Sequence, residues 1–186
     1  MSKTSIALLA LLVIVAAVAL RPGHAADDQV PQVGQQAPGF TLPSQDGTQI
    51  SLDSFKGKWV VLYFYPKDMT SGCTLEAHNF QRDQAKYDKM NAVILGVSVD
   101  TPDSHKQFCT KEGLNFRLLA DTKKEVSKSY DSLINLGVAK LSSRHTFLID
   151  PQGIVKKVWL NVDVQKHSRE ILAALDGFQK TESVKP

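Results

Sequence analysis

Two apolar, β-rich runs without alternation mark the first half of the chain, Trp59–Tyr65 and Ala92–Val99. A strand with one solvent-exposed face alternates apolar and polar side chains, so a run without alternation is typical of a strand covered on both faces. The segment between them, Thr74–Met90, is helical in composition and long enough to cross from one strand to the next. The pattern therefore predicts a strand, a helix and a second strand in one unit.

The alternation of strand and helix patterns continues after the second run. Thr101–Asp103, with proline at its centre, is a typical helix start, and Gly113 is a typical helix stop. Phe116–Ala120 has the composition of a short strand, and we expect a helix over Lys123–Leu133. A second repeat of helix and strand is therefore predicted.

Two turn signals predict β-hairpins towards the two ends of the chain. Asp46-Gly47 lies between two short alternating segments, and Pro151–Gly153 separates the strand patterns His145–Asp150 and Ile154–Leu160. A last helix is expected to carry four apolar residues on one face: Ile171, Leu172, Leu175 and Phe178. These elements together predict the α/β class, with a mixed sheet and helices packed on it.

Residues 1–25 have the pattern of a secretory signal peptide. Lys3 precedes the apolar run Ile6–Leu20, and its 15 residues fall short of the roughly 20 that a membrane-spanning helix needs. Small residues at Gly23 and Ala25 suit a processing site. We therefore expect an exported protein, periplasmic or secreted, with an uncleaved membrane anchor as the alternative.

Length and composition fit one globular domain. The 186-residue chain has ordinary apolar and charged fractions, 42% and 22%, and we place the domain at 37–180, between tails at 26–36 and 181–186. Removal of residues 1–25 takes away two basic residues and no acidic ones, which leaves 20 basic against 19 acidic residues. This nearly neutral balance does not indicate a nucleic-acid partner.

The chain has two cysteines, Cys73 and Cys109, both in the part expected to be exported. Disulfides persist outside the cytosol, so one structural disulfide is the simplest interpretation. Cys73, however, stands where a helical pattern begins, near unpaired N–H groups and the positive end of the helix dipole, which favour a thiolate. The spacing of Cys73, Ala77 and Phe80 puts the sulfur on the helix face that packs on the sheet. This combination suits a sheltered nucleophile.

Spacing argues against several other sites. Cys73 has no second cysteine three residues later, so a thioredoxin-type Cys-x-x-Cys oxidoreductase is not supported. His78 lies about 140° around the helix from Cys73, and we expect it to face solvent. His105 and Cys109 are spaced to share a metal, but two ligands make a weak site. We expect neither a metal nor a cofactor.

The loop before the first cysteine resembles the active-site loop of a known family. Pro66–Cys73 is similar to the Pro-x-x-x-Thr-x-x-Cys pattern of peroxiredoxins, and Cys73–Glu76 continues it in the style of the peroxiredoxin Q, or bacterioferritin comigratory protein, subfamily. Three further segments look like the same subfamily: Val33–Leu52, Lys56–Lys58 and Ser143–Asp150. The resemblance covers nearly the whole of the part expected to be exported.

This resemblance implies a thioredoxin-like fold, with a central mixed β-sheet flanked by helices and an N-terminal β-hairpin, and a thiol peroxidase activity. By position, Cys73 is the peroxidatic cysteine, Thr70 and Arg144 are its polar partners, and Pro66 shields the thiolate. Attack on a peroxide needs a thiolate and stabilisation of the charge that develops on the leaving oxygen. Arg144 supplies a charged fork of donors, and Thr70 supplies a hydroxyl that donates and accepts.

Two positions depart from the subfamily. Ser71 stands where proline is common, and His78 occupies the position at which many relatives carry the resolving cysteine. A second subset keeps that cysteine at the position of Cys109, so the resemblance assigns resolution to Cys109. The implied cycle runs from a Cys73 sulfenic acid to an intramolecular disulfide, with local unwinding at Cys73, and then to reduction by an external dithiol protein.

The implied partners are a peroxide and a thioredoxin-like or glutaredoxin-like reductant, without nucleic acid and without stable membrane association after processing. Members of this subfamily are usually monomers. Three alternatives stay open at this point. They are a one-cysteine peroxidase in which Cys109 takes no part, a relay that passes its disulfide to client proteins, and a non-enzymatic exported module with a permanent Cys73–Cys109 disulfide.

Overall fold

A computed structural model describes residues 29–137 and 139–183 of the chain. Its elements, in chain order, are β1 (Thr41–Pro43), β2 (Gln49–Ser51), β3 (Trp59–Phe64), α1 (Ser71–Lys89), β4 (Ala92–Ser98), α2 (Pro102–Glu112), β5 (Arg117–Ala120), α3 (Glu125–Ser129), β6 (Leu133–Asn135), β7 (Lys140–Ser142), β8 (Thr146–Ile149), β9 (Val155–Trp159) and α4 (His167–Ser183). A short 3-10 turn, Leu52–Phe55, follows β2.

Five of these strands form the central sheet, in the order β5-β4-β3-β8-β9. β3 pairs in parallel with β4, and β4 with β5, because α1 and α2 carry the chain back between them. β8 pairs antiparallel with both β3 and β9. Every residue of β3 is buried, as its unalternating pattern predicted. The predicted mixed sheet, flanking helices and N-terminal hairpin are confirmed.

The two faces of the sheet bury separate hydrophobic layers. Successive residues of a strand point to opposite faces, so Val61 and Tyr63 lie in one layer while Leu62 and Phe64 lie in the other. The first layer is completed by side chains of α1, α2 and α4, and it contains both cysteines. The second is completed by β1, β2 and α3. Any chemistry of the thiols therefore takes place in the layer that α1, α2 and α4 complete.

The predicted helix over Lys123–Leu133 is wrong over much of its length. Lys124 and Asp131, on either side of the short helix α3, have positive φ angles of 65° and 46°. A positive φ at a non-glycine residue interrupts a right-handed helix. The carboxylate of Asp121 accepts the backbone N–H of Ser127 at 2.6 Å and fixes the start of α3. After Asp131 the chain forms the hairpin β6–β7, which the sequence pattern did not predict.

Capping residues set the boundaries of the helices that carry the cysteines. Thr101 caps α2 with its side-chain oxygen, Pro102 is the first helical residue, and Gly113 ends the helix with a φ of 66°. Helix α1 begins at Ser71, three residues before the predicted start. Cys73 therefore lies within the first turn of α1.

The described part of the N-terminal segment is attached to the central sheet. The predicted signal peptide, residues 1–25, lies outside the described residues. Within the part of the chain that the structure describes, no helix is both long and apolar enough to cross a membrane. Gly34 donates its N–H to the carbonyl of Val155 at 2.8 Å, so the segment before β1 is attached to β9.

Candidate active site

Cys73 lies in the first turn of α1, on the side that faces the sheet. Thr70 is the N-cap residue, and its carbonyl accepts the N–H of Thr74 at 2.9 Å. The N–H groups of the first turn have no acceptor within the helix and contribute a positive field at its N-terminus. Only 2% of Cys73 is exposed, and it lies in one buried layer with Ala77 and Phe80. The predicted sheltered position of the sulfur is confirmed.

Arg144 brings its guanidinium to that sulfur from the segment between β7 and β8. Nη2 donates a hydrogen bond to Sγ of Cys73 at 3.2 Å, and Nη1 donates to Oε2 of Glu76 at 2.7 Å. The guanidinium is planar, so the bond to the carboxylate fixes the direction of the donor that faces the sulfur. The structure therefore joins two residues that are distant in the sequence into one polar group.

Glu76 is a member of this group that the sequence analysis did not identify. It lies one turn after Cys73 on α1 and is 1% exposed. Burial raises the pKa of its carboxyl to about 7, although the neighbouring Arg144 acts to lower it. Its second oxygen, Oε1, has no hydrogen-bond partner among the described residues. In the sequence, Glu76 stood out only as the last residue of the segment Cys73–Glu76. The reason for a buried acid next to the thiol becomes clear only when Arg144 is seen beside it.

Thr70 and Pro66 lie on the loop that leads into α1. The hydroxyl of Thr70 donates to the carbonyl of Lys67 at 3.0 Å, which closes the loop just before the helix, and its side chain is exposed. Pro66 is partly buried and follows β3 after one residue. The structure thus directs Arg144 to Cys73 and directs the Thr70 hydroxyl to the loop backbone. The catalytic roles assigned to Thr70 and Pro66 stay predictions.

Cys109 lies on α2 and is buried in the same layer as Cys73. Burial and, to a smaller extent, the negative charge of Asp68 raise the pKa of its thiol to about 11. Both cysteines are free thiols. Cys109 is therefore a protonated, sheltered thiol at neutral pH, and its proposed role as the resolving cysteine stays a prediction.

A buried polar network connects the loop before α1 with α2, and the sequence analysis did not predict it. Asp68 accepts hydrogen bonds from the hydroxyl of Tyr65 at 2.7 Å and from the hydroxyl of Ser104 at 2.7 Å, and its Oδ2 lies 2.8 Å from Nδ1 of His105. Burial acts to raise the pKa of Asp68, but its bonds to His105, Ser104 and Tyr65 outweigh burial and lower it. These residues lie far apart in the sequence, so no single motif indicated the network.

The other histidine considered from the sequence is on the opposite side of α1. His78 is exposed, as predicted, and its Nε2 lies 3.0 Å from a carboxylate oxygen of Glu112 on α2. Among the described residues, no three His, Cys, Asp or Glu side chains come together as they would around a metal ion. His105, the other half of the spaced pair with Cys109, is bonded to Asp68.

This arrangement of a thiol at a helix start, beside an arginine from the segment before β8, agrees with a family match. Residues 33–158 match the AhpC/TSA family. The chain belongs to this family. It has the thioredoxin-like fold that the sequence predicted.

Curated relatives in the family are peroxiredoxins of one subfamily. The chain is 42% identical over 148 residues to a putative peroxiredoxin bcp of Coxiella burnetii, an alignment that covers 77% of this chain and 98% of the relative. It is 41% identical over 146 residues to the chloroplastic peroxiredoxin Q of Populus jackii, which covers 78% of this chain and 68% of the relative. The predicted peroxiredoxin Q and bacterioferritin comigratory protein resemblance is confirmed.

Solved structures give the same result. A mutant of Xylella fastidiosa PrxQ superposes with a TM-score of 0.76 at 30% identity, over 81% of this chain and 99% of the other. The bacterioferritin comigratory protein of Xanthomonas campestris superposes with a TM-score of 0.70 at 37% identity, over 75% of this chain and 91% of the other. Family membership of this kind identifies the chain as a thiol-dependent peroxidase.

Proposed function

We propose that the chain reduces hydrogen peroxide and organic hydroperoxides by a two-cysteine cycle. The Cys73 thiolate attacks one peroxide oxygen, and the O–O bond breaks. Cys73 becomes a sulfenic acid, and the other oxygen takes up a proton and leaves as water or an alcohol. The solved Xanthomonas campestris relative is described with an alkyl peroxide reduction activity, which supports the inclusion of organic hydroperoxides.

The observation that carries this proposal is the hydrogen bond from Arg144 to the sulfur of Cys73. Nη2 lies 3.2 Å from Sγ, so a charged donor faces the reacting atom in a site from which water is largely excluded. A peroxide that approaches Sγ also comes close to this donor, which can then stabilise the charge on the leaving oxygen. A purely structural cysteine needs no such cationic partner.

Cys109 is the proposed resolving thiol. It attacks the sulfenic sulfur, a disulfide forms between Cys73 and Cys109, and the hydroxyl leaves as water. Both thiols lie in one buried layer, but they belong to different helices, α1 and α2. A disulfide needs Cα atoms within about 7 Å. We therefore expect the first turn of α1 to unwind during this step.

The cycle closes when an external dithiol protein reduces the disulfide. A thioredoxin-like or glutaredoxin-like protein has the required chemistry, because its thiolate attacks one sulfur and its second thiol releases the mixed disulfide. The sequence pattern of residues 1–25 supports export to the periplasm or beyond, so the reductant must act in that compartment. We propose that the exported protein is a monomer without stable membrane association.

A titration of reduced protein that lacks residues 1–25 tests the proposal. Hydrogen peroxide is added one equivalent at a time, and the intact mass and the number of free thiols are measured after each addition. We expect the loss of two thiols and two mass units per peroxide. Cys73→Ser should abolish the reaction, and Cys109→Ser should divert it to sulfinic and sulfonic acids. Two thiols that stay free after peroxide addition would contradict the peroxidase.

A one-cysteine mechanism is the second candidate, and the burial of Cys109 favours it. A thiol whose pKa is raised to about 11 is a poor nucleophile at neutral pH. In this mechanism the external reductant attacks the sulfenic acid of Cys73 directly. The same titration distinguishes the two, because the sulfenic acid of the one-cysteine enzyme adds 16 mass units and leaves Cys109 as a free thiol, an expectation that follows from the chemistry of sulfenic acids.

A further inference from the structure

The buried network around Asp68 joins the two segments that carry the cysteines. Asp68 lies on the loop between β3 and α1, five residues before Cys73, and it is 4% exposed. Its Oδ2 accepts the hydroxyl of Ser104 at 2.7 Å and lies 2.8 Å from Nδ1 of His105, and both partners are in the first turn of α2. Cys109 follows on the same helix. One buried carboxylate therefore holds the Cys73 loop against the Cys109 helix.

Two further contacts strengthen this connection. The backbone N–H of Asp68 donates to Oδ2 of Asp100, just before α2, at 2.9 Å. Tyr65, directly after β3, donates its hydroxyl to Oδ1 of Asp68 at 2.7 Å. Burial acts to raise the pKa of Asp68, but its bonds to His105, Ser104 and Tyr65 lower it, so the carboxylate is ionised. Hydrogen bonds to an ionised group are stronger than bonds between neutral groups.

The loop that Asp68 anchors leads directly into the turn that holds Cys73. The hydroxyl of Thr70 donates to the carbonyl of Lys67, on the other side of Asp68, at 3.0 Å. The carbonyl of Thr70 accepts the N–H of Thr74 at 2.9 Å, across the first turn of α1. Consecutive hydrogen bonds therefore couple the conformation of the loop to that of the first turn.

Met69, between Asp68 and Thr70, has a strained backbone conformation. Its φ angle is 61°, in the left-handed region that residues other than glycine rarely adopt. Its side chain is 40% exposed, so packing does little to hold the backbone in place. Such a conformation persists only where the surrounding structure fixes it, and the bonds of Asp68 and Thr70 lie on either side. The strain favours release of the loop, and the network opposes release.

We propose that Asp68 is a positioning residue that holds Cys73 in its peroxide-reactive conformation and thereby limits the rate at which Cys109 resolves the sulfenic acid. This inference rests on the proposed two-cysteine cycle, in which the first turn of α1 unwinds for resolution. Release of the strained loop from α2 permits that unwinding.

The network therefore sets how the Cys73 sulfenic acid is divided between two reactions. Attack by Cys109 gives the disulfide and water. Reaction with a second peroxide in the folded site transfers one oxygen to the sulfur, which gives a sulfinic acid, and reduces that peroxide to water or an alcohol. A network that delays unwinding lengthens the life of the sulfenic acid and favours the second reaction.

Two variants weaken the network to different degrees, and each has a matched control. Asp68→Asn keeps the size of the side chain but offers one acceptor oxygen in place of two. Ser104→Ala removes a single bond, and alanine suits a helix. Asp83→Asn replaces a buried carboxylate that joins α1 to Ser168 of α4, and Ser129→Ala removes a hydroxyl bond within α3.

The rate constants are measured in a single turnover. Reduced protein is mixed with one equivalent of hydrogen peroxide, quenched with acid and alkylated, and intact mass gives the fractions of thiol, sulfenic acid and disulfide over time. A second series with increasing peroxide gives the concentration at which half of the protein ends as sulfinic acid. The two measurements separate resolution from over-oxidation.

We expect Asp68→Asn to form the disulfide about tenfold faster than wild type and Ser104→Ala about threefold faster, the usual effects of lost hydrogen bonds of this kind. The peroxide concentration for half over-oxidation should rise by the same factors, because over-oxidation competes with resolution. Asp83→Asn and Ser129→Ala should keep the wild-type values. A purely structural role for Asp68 would lower the free energy of unfolding without changing this competition.

Several outcomes would overturn the inference, and they differ from failure of the proposed function. Wild-type rates of disulfide formation in Asp68→Asn and Ser104→Ala remove the role of the network and leave the cycle intact. An equally raised rate in Asp83→Asn also removes it, because general loss of stability then explains the effect. If Asp68→Asn does not fold, Ser104→Ala decides.

The wild-type protein tests the proposed function in the same experiment. Wild type that forms a sulfenic acid but no disulfide contradicts the two-cysteine cycle, and the inference with it. Wild type that forms no sulfenic acid contradicts the peroxidase itself.

Discussion

At the scale of single residues, the site depends on one guanidinium with two different acceptors. Arg144 is held by Glu76 on one side and faces Cys73 on the other. A carboxylate in a buried site is costly by itself, and so is an arginine. Together they form an oriented donor, and the proposed chemistry at the sulfur requires this orientation.

Arg144→Lys should lower the rate constant of Cys73 oxidation by hydrogen peroxide by about 100-fold, the usual cost of one lost transition-state donor. Lysine keeps the charge but has one ammonium group, which cannot bond to Glu76 and face Cys73 as the fork does. Stopped-flow kinetics measures the rate. Arg117→Lys, on the exposed side of β5, is the control and should keep the wild-type rate.

Glu76 gives the stability of the protein a specific pH dependence. Its folded-state pKa of about 7 lies above the ordinary value of 4.5, because burial disfavours the charge. Below pH 4.5 the carboxyl is neutral in both states, and its contribution to stability is fully present. As the pH rises through 7, the unfolded chain binds fewer protons than the folded one, so the contribution is lost.

Urea denaturation at pH 4.5 and pH 8 checks this dependence. Relative to Glu76→Gln, wild type should lose at most about 3 kcal/mol of unfolding free energy between these two values. The glutamine side chain does not ionise, so the variant is the reference for the wild-type protein. Parallel pH profiles for the two proteins would show that Glu76 is ionised normally in the folded state.

At the scale of elements, the first turn of α1 is shaped to admit the arginine. Gly72 precedes Cys73, and a Cβ at this position would lie 2.9 Å from Nη2 of Arg144. The atom that would have to move is the end of a flexible side chain. The glycine is therefore needed for the position of the guanidinium rather than for the backbone of the helix.

Gly72→Ala should slow oxidation of Cys73 about tenfold with little loss of stability. The displaced guanidinium no longer faces the sulfur correctly, whereas alanine favours the helix by about 1 kcal/mol. Gly177→Ala in α4 is the matched control, because a Cβ there meets nothing within 4 Å. Equal peroxide reactivity of the two variants and wild type would contradict the role of Gly72.

At the scale of the whole molecule, the sheet brings helices α1 and α2 and the segment before β8 to one of its faces. The parallel strands β3 and β4 are followed by the loops that lead into α1 and α2. Strand β8, antiparallel on the other side of β3, begins two residues after Arg144. The two thiols and the guanidinium therefore approach from three separate segments, held by a rigid sheet.

Oxidation should change the fold locally and leave the sheet intact. Amide hydrogen exchange over 72–80 should be at least about tenfold faster in the disulfide form, because the proposed cycle includes unwinding of the first turn of α1 when Cys73 bonds to Cys109. The amides of β3 should be unchanged and serve as the internal control. Identical exchange over 72–80 in the two forms would exclude the unwinding.

The sequence was most informative where a local signal agreed with burial. Unalternating runs predicted β3 and β4, the Thr101–Asp103 start and the Gly113 stop predicted α2, and the spacing of Cys73 predicted a buried sulfur. Hairpin β6–β7 was missed because its strands are short and a positive φ at Asp131 ends the preceding helix. No local pattern encodes that backbone angle at an aspartate.

The sequence by itself determined the family and the class of fold and predicted Cys73 as the reactive thiol, because these depend on motifs and periodicities within short segments. The tertiary structure decided what surrounds that thiol. Glu76 becomes meaningful only beside Arg144, and His105 only beside Asp68, with which it shares a bond of 2.8 Å. Such buried polar pairs join residues from separate elements, and their energies arise from burial and distance, neither of which a linear sequence specifies.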